Sequence, residues 1–266
     1  MTNPRVVITG STRGLGLRMA RQFLSRGCAV VISGRDQAAV DRVAAGLRAE
    51  HPGAVVHGVA CDTSDASQVQ RLWDQSVKAL GGVDHWINNA GIGQPTRRIW
   101  EIEPGLMDSI VRTDLLGVLY GARTAFSGML AQGTGAVWFM EGHGSTGRIM
   151  SGLSVYGAAK RGLRYVARAL AVEARGTPVL VGALSPGIMI TDFTMGQLDR
   201  KDAAAWESTK RIFNILGDTP ETVAAFLVPR ILSCRRSGTL IAWLTSPKIF
   251  WRFMTAGLTR RKVIAD

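Results

Sequence analysis

Tyr156 and Lys160 are the two residues whose types and spacing best fit a proton-transfer reaction. They stand four residues apart, so on a helix their side chains share one face and an ammonium group lies beside a phenol. A free phenol, with a pKa of about 10, is a poor acid–base catalyst near neutrality, and a neighbouring cation lowers that pKa. The pair therefore predicts a catalytic tyrosine whose pKa is lowered by Lys160. The alternative is an ordinary helix that carries one tyrosine and one lysine.

A glycine-rich turn far upstream is the second chemical signal. It follows an apolar segment at residues 5–9 that reads as a first strand, and a helical pattern follows it. Such a turn leaves room for a pyrophosphate and directs the N–H groups of a helix N-terminus at the anion. We therefore expect a dinucleotide here, a tight turn without a ligand being the alternative. The residues expected to bind it are Gly10, Ser11, Thr12, Arg13, Gly14, Leu15 and Gly16.

The end of the second predicted strand bears on the choice between NAD and NADP. A carboxylate there would accept hydrogen bonds from the ribose 2′-hydroxyl and repel a 2′-phosphate. Arg35 follows this strand, and Arg13 in the glycine turn lies within reach of the same phosphate. Guanidinium groups bind phosphate in a bidentate manner. Asp36 argues for NAD unless it caps the following helix. The sequence predicts NADP(H).

The elements that must position these groups alternate between strand and helix along the chain. This alternation predicts an α/β fold with a doubly wound parallel sheet covered by helices on both faces. We expect one such domain over residues 1–246 and a basic amphipathic tail over residues 247–266. Seven strands are predicted, at residues 5–9, 29–33, 54–60, 83–87, 136–140, 179–184 and 239–244. Helices are predicted at residues 15–26, 36–50, 67–80, 104–131 and 154–174, and from Thr219 onward.

The composition argues against several other classes of protein. The 266 residues are 46% hydrophobic, which is enough for a large core. Three widely spaced cysteines fit neither a disulfide framework nor a zinc site, and the four histidines add no metal-ligand spacing, so we expect no metal. No signal peptide and no apolar run long enough to cross a bilayer is visible, so we expect a cytoplasmic protein.

The net charge of +12 is unevenly distributed. Residues 222–266 carry eight Lys or Arg residues against one acid, Asp266. This asymmetry indicates a special basic end, and we expect no nucleic-acid partner. The tail can lie on an anionic membrane surface as a peripheral contact, or it can pack against the body or a second subunit. Its polar stripe consists of Lys248, Arg252, Thr255, Thr259 and Lys262.

Taken together, these motifs resemble the short-chain dehydrogenase/reductase family. The glycine turn is similar to its TGxxxGxG signature, residues 88–91 to its NNAG motif, and Tyr156 with Lys160 to its YxxxK pair. The resemblance covers residues 5–244 and implies a Rossmann-type fold and a homodimer or homotetramer. It also implies cofactor contacts from Asp62, Asn89, Ala90, Gly91, Tyr156, Lys160, Pro186, Gly187, Ile188 and Thr191.

A narrower resemblance is to the plant chlorophyll b reductases. It rests on five segments, residues 6–16, 86–91, 220–223, 227–230 and 244–249. That resemblance implies that NADPH reduces the C7 formyl group of chlorophyll(ide) b to a hydroxymethyl group. Relatives from bacteria can act on quite different carbonyl compounds.

Two positions depart from the family pattern. The family's catalytic serine stands thirteen residues before the tyrosine, where this chain has His143, whereas Ser145 stands eleven residues before it. We expect Ser145 to polarise the substrate carbonyl, with His143 as the alternative. The second departure is Asp114, which replaces an asparagine of the family's proton relay. We expect its carboxylate to accept hydrogen bonds from water or Lys160 and to stabilise the ammonium.

The expected activity is the reduction of a carbonyl, or the reverse oxidation of an alcohol, with Tyr156 donating the proton and Lys160 anchoring the nicotinamide ribose. The segments after the strands, at residues 92–100, 147–153 and 189–216, are rich in apolar side chains, so we expect a bulky hydrophobic substrate. A protein that senses nucleotides or binds partners without catalysis is the alternative class. The residues expected to contact the substrate are His143, Met150, Phe193 and Trp206.

Overall fold

Seven parallel strands form one sheet in this computed structural model, which describes residues 3–196, 203–259 and 261–264. Each strand is a short apolar run that ends in a turn. The strands are β1 Arg5–Ile8, β2 Ala29–Gly34, β3 Val56–Ala60, β4 His85–Asn88, β5 Gly135–Met140, β6 Val179–Ser185 and β7 Thr239–Ala242. Their order is β3-β2-β1-β4-β5-β6-β7, and every pair is parallel, which confirms the predicted doubly wound α/β sheet.

The helices cover both faces of this sheet. They are α1 Gly14–Leu24, α2 Gln37–Glu50, α3 Ala66–Leu80, α4 Pro104–Val111, α5 Gly117–Gln132, α6 Ser154–Glu173, α7 Asp192–Met195, α8 Ala203–Leu216, α9 Pro220–Ser233 and α10 Ser246–Thr259. The single helix predicted at residues 104–131 is wrong in one respect, because a π-helical turn, Arg112–Leu116, separates α4 from α5. Residues 189–216, predicted as substrate-contacting segments after a strand, contain α7 and α8.

Alternating side chains of the strands enter two separate cores, one on each face of the sheet. In β1, Val6 and Ile8 pack beneath α1, α2 and α9, whereas Val7 packs beneath α3, α5 and α6. β5 repeats the pattern, with Trp138 in the first core and Phe139 in the second. Burial on both faces explains why the strands are continuous Val- and Ile-rich runs rather than alternating polar and apolar sequences.

The strand order reverses between β1 and β4, which places a crevice at their carboxyl ends. The chain leaves β1 towards β2 and later returns on the other side of β1 as β4. The hydroxyl of Thr9, just after β1, accepts hydrogen bonds from the N–H groups of Asn89 and Ala90, just after β4, at 2.9 and 3.0 Å. These bonds hold the two loops together where a nucleotide-binding site is expected.

The basic tail forms α10, which is docked on the body by its cations. Asp218 is buried and lies 2.7 Å from Arg252 Nη1 and 2.6 Å from Arg261 Nη2. Lys248 Nζ lies 2.8 Å from the centroid of the Trp243 ring, and burial and the charge of Arg252 lower its pKa to about 8. Of the polar stripe predicted from the sequence, Lys248 and Arg252 therefore contact the body.

Candidate active site

Two glycines allow the loops after β1 and β4 to approach closely. Gly10 has φ of +61°, and a Cβ atom there would lie 2.7 Å from the Cα of Ala90. A Cβ at Gly16 would lie 2.6 Å from Nδ2 of Asn89. That side-chain amide donates to the carbonyls of Thr9 and Gly10, both at 2.9 Å. Glycine is therefore required at both positions, because the two loops approach too closely for a side chain. The side-chain amide of Asn89 joins the same two loops by its hydrogen bonds.

The N-terminus of α1 is open to an anion. Arg13 is the N-cap residue, and its side chain caps no N–H group, whereas α2, α3 and α9 are capped by Asp36, Asp65 and Thr219. Gly14, with φ of +56°, has no other atom within 4 Å of the position of a Cβ. Free N–H groups, a favourable helix dipole and open space fit a pyrophosphate group.

The hydroxyl of Ser11 has structural partners. It donates to the carbonyl of Ile8 at 2.6 Å and accepts from the N–H of Ser33 at 2.9 Å, and the residue is buried. Thr12 packs against the end of β2, where a Cβ at Gly34 would lie 2.8 Å from its methyl carbon. Of the residues predicted from the turn, Ser11 thus ties β1 to β2, and Gly14 borders the open space. The side chain of Leu15 is buried in the core.

Two exposed residues of opposite charge, Arg35 and Asp36, directly follow β2. Oδ1 of Asp36 accepts the N–H of Ala39 at 2.6 Å, so this carboxylate caps α2, which was the alternative considered for it. Arg35 and Arg13 are exposed, and the part of the chain that the structure describes pairs neither with an acid. Asp62, after β3, is half-buried, and its Oδ1 accepts from the backbone and the hydroxyl of Ser64 at 2.9 and 2.8 Å.

The loop after β6 carries the other residues predicted to hold the cofactor. Pro186 is buried, and Gly187 has φ of +73°. The carbonyl of Ile188 accepts the N–H of Asp218 at 3.0 Å, and the hydroxyl of Thr191 lies 3.1 Å from that of Thr194 at the start of α7. This loop leaves the sheet at the same carboxyl edge as the glycine turn, because all seven strands are parallel.

Tyr156 and Lys160 lie together on the first turns of α6, and both are buried. Lys160 Nζ is 5.5 Å from the centroid of the Tyr156 ring. Gln94, which the sequence analysis missed, fixes the start of this helix. Its Oε1 accepts the N–H of Tyr156 at 2.9 Å, and its Nε2 donates to the carbonyl of Gly152 at 2.7 Å. A glutamine in a loop carries no motif that could have revealed this role.

Asp114 forms a buried ion pair with Lys160, and Oδ2 lies 3.1 Å from Nζ. Its other oxygen, Oδ1, accepts the N–H of Ile92 at 2.6 Å. The residue is in the middle of the π-helical turn, a distortion that often redirects side chains at functional sites. Gly91 leaves room for this carboxylate, because a Cβ there would lie 3.2 Å from Oδ2. The expectation that Asp114 stabilises the ammonium agrees with this geometry.

The lowering of the tyrosine pKa by Lys160 is present as predicted, but two opposing effects outweigh it. Burial raises the pKa of Tyr156 above its usual value, Lys160 lowers it, and the nearby carboxylate of Asp114 raises it again. Lys160 has a raised pKa, because the attraction of Asp114 and Tyr156 outweighs the effect of burial. The sequence places one cation beside the phenol, whereas the structure adds an anion and excludes water.

Ser145 is buried, and its hydroxyl donates to Glu141 Oε2 at 3.2 Å. Arg164 Nη1 lies 3.1 Å from the same carboxylate oxygen, and Arg161 donates to the carbonyl of Ser145 at 3.1 Å. Burial raises the pKa of Glu141, although the charge of Arg164 opposes this shift. His143 is exposed in the same loop, and partial burial and Arg148 lower its pKa.

The residues predicted to contact a substrate lie in three segments, which are the loop between β5 and α6, helix α7 and helix α8. The ring of Phe193 in α7 lies 6.1 Å from that of Tyr156, centroid to centroid. Met150 is exposed in the loop before α6, and Trp206 is half-buried in α8. Among the described residues no group of three or more His, Cys, Asp or Glu side chains could hold a metal ion, and no helix is long and apolar enough to span a membrane.

The fold and this site define a class of protein. Residues 4–202 match the model of the short chain dehydrogenase family, and the chain belongs to that family of oxidoreductases. It is 34% identical over 277 residues to the probable chlorophyll(ide) b reductase NYC1 of Arabidopsis thaliana, covering 98% of this chain and 54% of that protein. It is also 34% identical over 273 residues to the chlorophyll(ide) b reductase NOL of Arabidopsis thaliana, covering 98% of this chain and 76% of that protein.

The chain therefore spans about half the length of the NYC1 relatives that it matches. Solved structures share its fold over nearly the whole chain. Levodione reductase superposes with a TM-score of 0.83 at 25% identity, covering 93% of this chain and 98% of that one. The 3-ketoacyl-(acyl-carrier-protein) reductase of Brucella melitensis, complexed with NADH, superposes with a TM-score of 0.78 at 26% identity, covering 91% and 97%.

Gly142 is the residue that leaves space for the tyrosine hydroxyl. A Cβ at this position would overlap the hydroxyl oxygen of Tyr156 and would lie 3.3 Å from Cε of Lys160. We predict that Gly142→Ala displaces the phenol and lowers oxidoreductase turnover by about 100-fold, the scale of a lost acid–base group. Turnover is measured by nicotinamide absorbance, and nucleotide affinity by fluorescence titration.

Gly46→Ala in α2 is the matched control, because a Cβ there meets no atom within 4 Å. It should leave turnover unchanged. Normal turnover by Gly142→Ala would show that the hydroxyl position seen here is not the one used in the reaction.

Asp114→Asn should lower the pKa of Tyr156, because it removes the negative charge that raises it. The phenolate is measured by ultraviolet absorption during a pH titration, with Tyr156→Phe as the blank. Asp108→Asn, which removes an exposed carboxylate paired with Arg112 at 2.7 Å, is the control and should leave the titration unchanged. A rise in the tyrosine pKa would mean instead that Lys160 loses its proton without Asp114.

Proposed function

We propose that this protein uses NADP(H) to reduce the carbonyl group of a bulky hydrophobic compound, with a formyl group of the chlorophyll(ide) b type as the leading substrate class. The observation that carries the proposal is the buried Tyr156, Lys160 and Asp114 cluster at the carboxyl edge of the sheet. The names of its relatives, chlorophyll(ide) b reductases at 34% identity, support the choice of substrate.

The residues present fit a nicotinamide dinucleotide. The uncapped N-terminus of α1 would hold the pyrophosphate, and Asp62 and the loop after β6 would hold the two ends of the molecule. Arg13 and Arg35 support NADP over NAD, because they are exposed while Asp36 caps α2. The bound cofactor supplies the hydride.

Tyr156 then acts as the acid. Its raised pKa keeps the phenol protonated near neutrality, and the proton passes to the oxygen of the carbonyl as that oxygen gains negative charge. Lys160 stabilises the phenolate that remains, and Asp114 holds the ammonium in place. Water is excluded from all three groups, which strengthens the interactions between their charges.

Ser145 can polarise the carbonyl only after a change in its hydrogen bond. A hydroxyl has one proton, and in this structure that proton is directed to Glu141. If Glu141 is protonated, it can donate to Ser145 and free the serine proton for the carbonyl oxygen. Burial favours this protonated form of Glu141, and the ion pair with Arg164 opposes it. His143, exposed in the same loop, is the alternative donor.

A nucleotide-sensing protein without catalysis is the second candidate. Two observations favour it: the hydroxyl of Ser145 is occupied by Glu141, and the pKa of Tyr156 is raised rather than lowered. The presence of both Tyr156 and Lys160 argues for a catalytic protein. So does Gly142, because a side chain at that position would collide with the tyrosine hydroxyl.

The direct test is the oxidation of NADPH in the presence of chlorophyllide b and of a panel of bulky and small carbonyl compounds. We expect the bulky apolar compounds to be reduced, and Tyr156→Phe to lower kcat by at least about 100-fold with little change in NADPH affinity. Ser145→Ala should slow the reaction more than His143→Ala. NADPH binding with no reduction of any carbonyl would favour the sensing protein.

The cofactor preference is tested by Arg13→Ala and Arg35→Ala. Each should weaken NADPH binding by about 10- to 100-fold, because a hydrogen-bonded charge pair contributes about 1.5 to 3 kcal/mol, and should leave NADH binding unchanged. Arg175→Ala, an exposed arginine between α6 and β6 at the opposite edge of the sheet, is the control. Tighter binding of NADH than of NADPH by the unmodified protein would contradict the assignment.

A further inference from the structure

Helix α10 presents its apolar side, rather than its basic side, to solvent. Lys248 covers the ring of Trp243, and Nη1 of Arg252 donates to the carbonyl of Leu216 at 2.9 Å as well as pairing with Asp218. These two cations are one turn apart and face the body. At 100° per residue the opposite side of the helix must then face outward.

The outward side consists of large apolar side chains. Their exposed fractions range from 46% for Phe253 to 86% for Leu258, with Trp251 at 67% and Phe250 and Met254 at 65% each. No residue of α10 is buried. A surface helix of a monomeric protein normally has the reverse orientation, with its apolar stripe facing the core. A continuous patch of this kind marks an interaction surface.

The patch lies at the same edge of the sheet as the candidate active site. α10 follows the carboxyl end of β7 and packs against α8. Other exposed apolar residues follow the carboxyl ends of neighbouring strands: Trp100 after β4, with 75% of its surface exposed, and Ile149 after β5, with 93%. Because the strands are parallel, these side chains form an apolar rim around the edge where Tyr156 lies.

The charge of the segment indicates what covers this rim. Residues 246–264 include five Lys or Arg residues and no acid. A second copy of the chain that docked through α10 would bring two such segments together, and their like charges would repel. An anionic lipid surface offers a place for Trp and Phe side chains at the headgroup level, and it attracts the net positive charge that remains after Asp218 has neutralised one of the five cations.

We propose that α10 and the apolar rim bind the surface of an anionic lipid bilayer, with Phe250, Trp251, Met254 and Leu258 inserted among the headgroups. The membrane contact differs from the one expected from the sequence, because the apolar side of the helix enters the lipid while Lys248 and Arg252 hold the helix to the body. If the proposed reduction is also correct, this orientation lets a hydrophobic substrate pass from the lipid to Tyr156.

The test uses the whole chain and lipid vesicles, without nicotinamide or carbonyl compound, so its outcome does not depend on catalysis. We expect flotation with vesicles that contain about one third phosphatidylglycerol, and much weaker binding to phosphatidylcholine alone. Phe250→Ser with Trp251→Ser should weaken the binding by at least about tenfold. Val55→Ser with Val172→Ser is the matched control and should bind normally, because both valines are exposed at the opposite edge of the sheet.

Thermal unfolding and NADPH titration establish that each variant is folded. The proposal is overturned if the unmodified protein does not float with the anionic vesicles, or if the Phe250 and Trp251 variant floats as well as the unmodified protein. It is also overturned if the unmodified protein fails to bind vesicles and sediments as an oligomer that the same variant dissociates, because a second copy then covers the patch.

Discussion

The ion pair between Lys160 and Asp114 is the interaction on which the candidate site depends. Both groups are buried, and a buried charge without its partner costs several kcal/mol. The pair joins α6 to the π-helical turn, and the hydrogen bond from Ile92 joins the same carboxylate to the loop after β4. Three elements that are distant in sequence are thereby fixed around Tyr156. Asp114 also offsets the charge of Lys160 beside the phenol and, together with burial, raises the pKa of Tyr156.

The polar groups of the crevice divide into those that hold the loops and those that remain free. Thr9, Ser11 and Asn89 are occupied by hydrogen bonds to neighbouring backbone groups. Within the described residues, no side chain caps the first turn of α1, and the guanidinium of Arg13 pairs with no acid. A nucleotide can therefore bind without breaking the bonds between β1, β2 and β4. Ser145 and Glu141 differ in this respect, because their bond must change before the serine proton is available.

Much of the fold could be predicted from the sequence, because each strand is a short apolar run between turns. The regular alternation of strands with helices then indicates a parallel sheet. Asp36 as a cap and Asp114 beside Lys160 could also be predicted, since both follow from local position and motif. The π-helical turn could not, as residues 112–116 have ordinary helical composition. Gln94 was missed because its role depends on a contact across 62 positions of the chain. Glu141 contacts Ser145 only four positions away, but a lone glutamate after a strand carries no motif that indicates this contact.

The orientation of α10 also depends on a distant residue, and that residue links the helix to the site. The sequence pattern shows that α10 has a polar side and an apolar side, but not which of them faces the body. In this structure Asp218 fixes the orientation, because it binds Arg252 and Arg261. The backbone of Asp218 is paired with the loop after β6, donating to Ile188 and accepting from Ile190 at 3.0 and 3.1 Å. One residue therefore holds both the loop expected to contact the nicotinamide and the helix that carries the exposed apolar patch.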